Sequence, residues 1–121
     1  EGHSDPVSGV AVSTDGQQAV SASGDKTLKV WEVESGRLLR TLEGHSDVVA
    51  GVAVSADGRR AVSASWDHTL KVWDLETGQP IAAFTCDADA KCCALAGTHR
   101  IVAGDRAGHV HFLSLELDED R

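Results

Sequence analysis

Histidine, serine, aspartate and tryptophan recur together at two places in this chain, 42 residues apart. The histidines are His3 and His45, the aspartates Asp25 and Asp67, and the tryptophans Trp31 and Trp73, with serines at Ser21 or Ser23 and at Ser63 or Ser65. Histidine, serine and aspartate are the residue types of a serine hydrolase triad. Here the trio occurs twice at the same spacing and lacks a glycine-framed nucleophile elbow. The repetition favours a scaffolding role, and we assign no catalytic residue.

The spacing reflects an internal repeat that covers most of the chain. Residues 1–42 reappear as residues 43–84 without a gap, and 26 of the 42 positions are identical. A third copy begins near Ala90 and is much altered. Asp87 occupies its histidine position, Ala107 its aspartate position and Leu113 its tryptophan position. A repeat of this length predicts an architecture of stacked similar units.

Each copy has the alternating pattern of short β-strands. Turn signals such as Asp15-Gly16, Ser35-Gly36 and Asp57-Gly58 separate the apolar runs, which predicts four strands in each of the first two copies. The predicted strands lie near residues 7–13, 18–23, 28–33 and 38–42, then 49–55, 60–65, 70–75 and 81–85, and in the third copy 91–96, 100–104 and 109–115. The predicted fold class is all-β.

The motifs of the repeat resemble a known family. Gly-His-Ser-Asp is followed by Asp-Lys-Thr-Leu-Lys-Val-Trp-Glu in one copy and by Asp-His-Thr-Leu-Lys-Val-Trp-Asp in the other, and together these resemble the WD-repeat β-propellers. The resemblance implies four-stranded antiparallel blades arranged around a channel. We expect one partial propeller over residues 1–121, with blade one at about 7–43, blade two at about 49–85, a degenerate third blade of about three strands at 90–117, and an acidic tail at 116–121.

The resemblance also implies a structural role for the recurring polar residues. In that family such residues form a buried hydrogen-bonded tetrad, which here comprises His3, Ser21, Asp25 and Trp31 in the first unit and His45, Ser63, Asp67 and Trp73 in the second. Ser23 and Ser65 remain alternatives for the serines. Trp31 and Trp73 are expected to be buried, and Asp67→Ala is expected to unfold the second blade because it leaves buried donors without partners.

A second set of positions is predicted to contact a partner protein. In the family the commonest contacts lie just after the Gly-His-Ser-Asp loop and just before the turn aspartate, which selects Pro6, Ser8, Gly24, Val48, Ala50 and Trp66. Trp66 stands where the other copy has Gly24. It could be an interface anchor, since tryptophan supplies a large rigid contact surface, or it could cover a neighbouring blade.

Three blades are fewer than the roughly four to eight of a closed propeller, so other blades are expected to complete the fold. The near-identical units also resemble the C-terminal end of a recently duplicated repeat tract of large signalling proteins, often prokaryotic ones. The predicted function is therefore a non-catalytic protein-interaction scaffold or sensor within a larger signalling protein. In that case the chain is a fragment of a longer propeller. The alternative is a self-assembling module in which several copies close a homo-oligomeric ring, two copies giving six blades.

Charge and cysteine content narrow the partners and the compartment. The net charge of −8 opposes binding to nucleic acid or to an anionic membrane. The three cysteines, Cys86, Cys92 and Cys93, are odd in number, which argues against a secreted disulfide framework and favours the cytoplasm. Cys86 could join His99, His109 or His111 at a metal, but their spacing matches no zinc pattern. Buried, inert thiols are expected instead, with no metal and no cofactor.

Overall fold

The computed structural model describes residues 2–86, 88–96 and 100–114. Asp87, His99, Leu115 and the predicted acidic tail at 116–121 lie outside the described residues. The first sheet contains β1 (Val7–Val12), β2 (Gln18–Ser23), β3 (Thr27–Glu32) and β4 (Leu38–Glu43). The second contains β5 (Val49–Val54), β6 (Arg60–Ser65), β7 (Thr69–Asp74) and β8 (Pro80–Thr85). The third contains β9 (Ala90–Ala96), β10 (Arg100–Asp105) and β11 (Val110–Ser114).

The predicted fold class is confirmed. The strands of each sheet follow chain order and pair antiparallel throughout, in two sheets of four strands and one of three. The observed strands begin and end within two residues of their predicted bounds. In the described part of the chain, no helix has the length and apolar character needed to cross a membrane.

The β1–β2 and β5–β6 hairpins close through equivalent Asp-Gly turns. Gly16 and Gly58 adopt φ values of 74° and 73°, a left-handed conformation that glycine tolerates best. Asp15 braces the first turn by accepting hydrogen bonds from the Ser13 hydroxyl at 2.6 Å and from the Gln17 amide at 3.0 Å. These short links keep successive strands of a blade adjacent.

The cores lie between the blades. One face of blade one contributes Val20, Ala22, Leu28, Val30 and Leu42, which pack against Ala61, Trp73 and Leu75 of blade two. The opposite face of blade two contributes Val62, Ala64, Leu70, Val72 and Phe84, which pack against Cys93, Ile101, Ala103 and Leu113 of blade three. Each sheet therefore buries its apolar side chains only by contact with the next sheet.

The two outer faces of the stack are open and apolar. On blade one, Val10 is 61% exposed and Val12 54%, whereas their counterparts in blade two, Val52 and Val54, pack into the core. On blade three, Phe112 is 77% exposed, whereas its counterpart Val72 is buried. We call these surfaces the leading face (Val10, Val12, Trp31, Val33) and the trailing face (Val102, Val110, Phe112).

The expectation that both tetrad tryptophans are buried is wrong for Trp31. Trp73 is fully buried against blade one, whereas Trp31 lies on the leading face and is half-buried. The two residues have nearly the same neighbours within their own blades. The difference arises because the face that carries the indole is covered by the preceding sheet, and the structure describes none before blade one.

Candidate functional site

The four tetrad residues of blade two are joined in one chain of hydrogen bonds. The loop before β5 carries His45, β6 carries Ser63, the β6–β7 turn carries Asp67 and β7 carries Trp73. The His45 imidazole lies between them, with Nδ1 2.8 Å from the Asp67 carboxylate and Nε2 2.5 Å from the Ser63 hydroxyl. The Trp73 indole N–H donates to the same hydroxyl at 2.8 Å. Antiparallel pairing of β6 with β7 matches Ser63 with Lys71 and Ala61 with Trp73, so Ser63 and Trp73 are diagonal neighbours on one face.

The hydrogen-bonding partners in this network determine which atom carries each proton. Trp73 donates to Ser63, so the Ser63 hydroxyl has its own proton available for His45 Nε2, and Nδ1–H of His45 then donates to Asp67. A neutral imidazole satisfies every group in the chain. Burial lowers the pKa of His45, against the opposing effect of Asp67, which also favours the neutral form.

Asp67 accepts hydrogen bonds from several donors besides His45. They are the Ser46 amide at 3.1 Å, the Thr69 amide at 3.0 Å and the Thr69 hydroxyl. Burial alone would raise the pKa of Asp67, but hydrogen bonds led by Thr69 and His45 lower it to about 2. The carboxylate is therefore ionised at neutral pH and fixes the loop before β5 to the β6–β7 turn.

Blade one has the same network on its open leading face. His3 lies 3.0 Å from Asp25 through Nδ1 and 2.6 Å from Ser21 through Nε2, and Trp31 donates to Ser21 at 2.9 Å. Burial again opposes ionisation of Asp25, yet hydrogen bonds led by the Thr27 hydroxyl hold its pKa well below the usual range. The structure thus brings together the predicted residues of both tetrads.

The geometry also resolves which serine belongs to each network. Ser21 and Ser63 contact the histidines, whereas Ser23 and Ser65 accept from the amides of Asp25 and Asp67 and so cap the turns. The threonines at 27 and 69, which complete the aspartate sites, were missed by the sequence analysis. A threonine two residues after an aspartate in a strand-to-strand turn is the signal that could have identified them.

The Ser–His–Asp geometry of blade two resembles that of a hydrolase triad, but its surroundings do not suit catalysis. Ser63 and Trp73 are both fully buried, and the indole N–H already occupies the serine oxygen. A substrate carbonyl has no route to that oxygen. The arrangement can hold strands together, and it offers no accessible nucleophile.

Blade three replaces the tetrad with a different polar cluster. Asp105, at the position of Ser65, caps its own turn by accepting from the amides of Ala107 and His109 at 3.0 Å. It also accepts from Nε2 of His111 at 2.8 Å. The hydrogen bond from His111 is the main cause that lowers the pKa of Asp105 to about 2. A carboxylate and an imidazole thus brace this hairpin where the first two blades use serine and aspartate.

The predicted contact positions lie on one rim of the stack. This upper rim consists of the residues just before the first strand of each blade, the first two residues of that strand, and the turn between the second and third strands. In blade one the Gly24 amide donates to the Pro6 carbonyl at 3.1 Å, and in blade two the Trp66 amide donates to the Val48 carbonyl at 2.9 Å. The exposed positions are Pro6, Ser8 and Trp66, and the half-buried positions are Gly24, Val48 and Ala50.

The upper rim continues into blade three, which the sequence analysis did not include. There the Arg106 amide donates to the Asp89 carbonyl at 2.8 Å, so these two residues are the counterparts of Trp66 and Val48. Lys91 is the counterpart of Ala50, since both lie one residue beyond the first pairing of their strand with its neighbour. Aligning the third copy with the second by its turns, instead of by the histidine, aspartate and tryptophan positions, would have identified Asp89, Lys91 and Arg106.

Two kinds of contact cross from blade two to blade three on this rim. The Lys91 ammonium lies 4.5 Å from the centre of the Trp66 ring, within the range of a cation–π interaction. His68 of blade two approaches the Asp89 carboxylate of blade three at 3.2 Å, and Arg106 approaches the same carboxylate at 3.7 Å from within blade three. Trp66 therefore contacts a neighbouring blade and still exposes 37% of its surface.

The cysteines differ from expectation at one position. Cys86 is buried and Cys93 is largely covered, and burial raises the pKa of the Cys93 thiol to about 12. Cys92 is exposed, because adjacent residues of a strand point to opposite faces and its face is the open trailing one. Among residues 2–86, 88–96 and 100–114, no three histidine, cysteine, aspartate or glutamate side chains are placed to hold a metal ion.

Comparison with known families agrees with this architecture. A family model described as the TEP-1 C-terminal beta-propeller matches residues 45–115, more than half of the chain. A model of the WD domain, G-beta repeat, matches residues 1–32. The chain belongs to the WD-repeat β-propeller family. The resemblance proposed from the sequence motifs is thereby confirmed.

Individual relatives match this WD-repeat chain over single repeats. An uncharacterized WD repeat-containing protein of Synechocystis sp. is 57% identical over 42 residues, which are 34% of this chain and 12% of that protein. A ribosome biogenesis protein BOP1 homolog of Drosophila willistoni is 50% identical over 42 residues, which are 35% of this chain and 5% of that protein. The structure of U3-55K superimposes with a TM-score of 0.88 at 27% identity, covering 93% of this chain and 35% of that one. The matched segments thus span 12% and 5% of the two relatives and 35% of the U3-55K chain.

Proposed function

We propose that this chain is a non-catalytic protein-interaction module, in which the upper rim contacts a partner protein. The observation that carries the proposal is Trp66, a tryptophan 37% exposed in a turn whose counterparts are Gly24 and Arg106. Tryptophan is enriched among the residues that dominate interface energetics. Pro6, Ser8, Gly24, Val48 and Ala50 lie along the same rim and would surround the anchor.

The tetrads would serve this function indirectly, by stabilising the rim. Each tetrad ties the loop before the first strand to the turn between the second and third strands, and these two segments form the upper rim. The Ser46 amide and the Thr69 amide both donate to Asp67, which supports a rigid rim. A preorganised rim loses less conformational entropy on binding than a mobile one. No enzymatic step is assigned to either tetrad.

We assign the module to a larger signalling protein, in which partner binding positions or releases a separate effector. The small share of each relative that the chain covers supports a longer parent. The net charge of −8 favours a protein partner over nucleic acid or an anionic membrane. The odd number of cysteines supports a cytoplasmic parent.

Peptide selection with a matched pair of variants tests the proposal. Peptides would be selected on the immobilised chain from a random phage-displayed library and their affinities measured by fluorescence polarisation. Trp66→Ala should weaken the selected peptides by roughly thirtyfold, since a hot-spot truncation costs about 2 kcal/mol. Leu39→Ala is the control, because Leu39 is also 37% exposed but lies on the opposite edge of blade one. Equal affinities for Trp66→Ala and the parent chain would refute the proposal.

The open faces favour a second candidate, a ring closed by two copies. The leading and trailing faces are the two halves of the contact that already joins blade one to blade two and blade two to blade three. Val20, Ala22 and Leu28 on the covering face of blade one have Val102, Gly104 and Val110 as their trailing-face counterparts. The apolar character is kept, so the trailing face of one copy could cover the leading face of another.

A further inference from the structure

We infer that the rim between blades two and three binds an acidic peptide segment. This inference rests on the proposed function and specifies the partner's chemistry. The surface consists of Trp66, His68, Lys91 and Arg106 around Asp89, and we call it the cationic corner. It combines exposed apolar ring surface with positive charge, in a chain whose net charge is −8.

The basic side chains of the corner are exposed and held in place. Backbone hydrogen bonding fixes Arg106 beside Asp89, two residues from Lys91. The Arg106 side chain is 72% exposed and that of His68 is 50% exposed. Lys91 is held over the Trp66 ring at 4.5 Å. A ligand carboxylate would therefore meet several donors on one small surface.

The described residues of the corner carry one acidic side chain, the two positively charged side chains of Lys91 and Arg106, and the imidazole of His68. Asp89 is that acid, and its carboxylate lies close to both His68 and Arg106. Its side chain is only 21% exposed, so it lies beneath the cations that it holds. Arg106 approaches one of its oxygens at 3.7 Å, which leaves the rest of the guanidinium fork to donate to an incoming carboxylate.

The equivalent corner between blades one and two serves as an internal comparison. Reading along the same positions, Lys26 corresponds to His68, Asp47 to Ala88, Val48 to Asp89, Ala50 to Lys91 and Trp66 to Arg106. That corner has one lysine and one exposed aspartate, so its charges cancel. The positive charge is therefore specific to the junction with blade three and does not follow from the repeat itself.

The corner suits a peptide better than a phosphate backbone. A nucleic-acid surface needs a stripe of cations that follows successive phosphates, whereas this corner is small and borders the apolar rim residues Val48 and Ala50. Glutamate or aspartate next to an apolar side chain would match both features. Repulsion from the rest of this acidic chain would oppose a long polyanion more strongly than a short peptide.

Fluorescence polarisation with two peptides tests the inference. One fluorescein-labelled peptide has glutamates flanking a leucine, and the second has glutamine at every glutamate. The parent chain should bind the glutamate peptide more tightly, and the preference should shrink as salt is raised. Arg106→Glu should weaken that peptide roughly tenfold, because it places a like charge at the contact.

Arg37→Glu is the matched control. Arg37 is 67% exposed with one ion pair at 3.6 Å to Glu32, which resembles the state of Arg106, but it lies at the opposite edge of blade one. Its variant should bind the glutamate peptide as the parent chain does. Circular dichroism would verify that both variants keep the β-sheet spectrum. Equal loss in the two variants, or tighter binding of an oligothymidylate than of the peptide, would overturn the inference.

The outcomes also separate this inference from the proposed function. If both peptides bind equally and Trp66→Ala weakens both, the rim is an interaction site but its acidic preference is wrong. If neither peptide binds and the phage library also yields no Trp66-dependent sequence, both proposals fail. A glutamate preference that is lost in Arg106→Glu, together with weaker binding by Trp66→Ala, supports both.

Discussion

Asp67 shows how one side chain can organise a whole blade. Its two carboxylate oxygens receive an imidazole N–H, a hydroxyl and two backbone amides. The donors come from the loop before β5 and from the start of β7, while Asp67 itself lies in the turn between β6 and β7. The aspartate therefore joins segments that are more than twenty residues apart, and no single strand pairing could join all of them.

Removing this carboxylate should cost more in blade two than in blade one. Asp67→Ala leaves His45 Nδ1–H, two amides and the Thr69 hydroxyl without an acceptor, and the free energy of unfolding should fall by about 2–4 kcal/mol. Asp25→Ala removes the same bonds, but the network of blade one is more open, since His3 and Trp31 are half-buried whereas His45 and Trp73 are buried, so water can replace some of them. The expected loss there is about 1–2 kcal/mol.

Urea denaturation of the two variants and the parent chain, followed by tryptophan fluorescence, measures this difference. An unchanged stability for Asp67→Ala would contradict the hydrogen-bonding role of the tetrad. Equal losses in the two variants would instead show that cover by the neighbouring blade does not matter to the network.

Residue identity predicted part of the tetrads and left part open. The 42-residue recurrence identifies His45, Asp67 and Trp73, because hydrophobic packing alone does not explain why the same polar residue types recur at one spacing. It could not separate Ser63 from Ser65, because both point to the same face of β6 and both recur. Only the diagonal placement of Ser63 and Trp73 on the two paired strands, which lets the indole N–H donate to Ser63, decides between them.

At the scale of strands, the sequence predicted the positions of the strands and of the Asp-Gly turns, because both depend on nearby residues. Alternation and Asp-Gly turns depend on neighbours within a few residues, and all eleven strands lie where they were expected. The close approach of β5 to β9 depends on residues forty positions apart. No periodicity within one repeat reveals it.

Gly51 marks that close approach and supports a prediction about it. A Cβ at Gly51 would lie 3.1 Å from the Cys92 Cα and 3.2 Å from the Lys91 carbonyl oxygen, which are backbone atoms of β9. Gly51→Ala should therefore push the two innermost strands apart and lower the free energy of unfolding by about 1–3 kcal/mol.

Gly9→Ala is the matched comparison in the preceding blade. A Cβ at Gly9 would meet its nearest atoms in blade two at 3.7 Å, an ordinary contact. This variant should be neutral or more stable by about 0.4–1 kcal/mol, because alanine restricts the unfolded chain. Chemical denaturation of the pair is the measurement, and a Gly51→Ala protein as stable as Gly9→Ala would disprove the strand-contact argument.

At the scale of the molecule, near-identical sequences have different environments. Val33 is 48% exposed while its counterpart Leu75 is 5% exposed, because blade one covers only the second of them. Burial in a stack of repeats is set by the neighbouring unit, so the sequence of one unit cannot predict it. This explains why the expectation was correct for Trp73 and wrong for Trp31.

The open faces also distinguish the two ways of completing the propeller. If two copies close a ring, the leading face of each copy meets the trailing face of the other, which gives two head-to-tail junctions related by a twofold axis. Val10→Asp should block every leading face and Phe112→Asp every trailing face, because an unpaired carboxylate would be buried in the contact. Each variant alone should then be monomeric by light scattering, whereas the parent chain should be dimeric.

Mixing the two variants gives the decisive measurement. A Val10→Asp copy retains its trailing face and a Phe112→Asp copy retains its leading face, so an equimolar mixture should form a dimer through one intact junction. Dimers of Val10→Asp alone would mean that trailing faces pair with each other, contrary to the ring. A parent chain that stays monomeric at every concentration would reject self-assembly and leave both faces to further blades, since sheets this apolar need a covering neighbour.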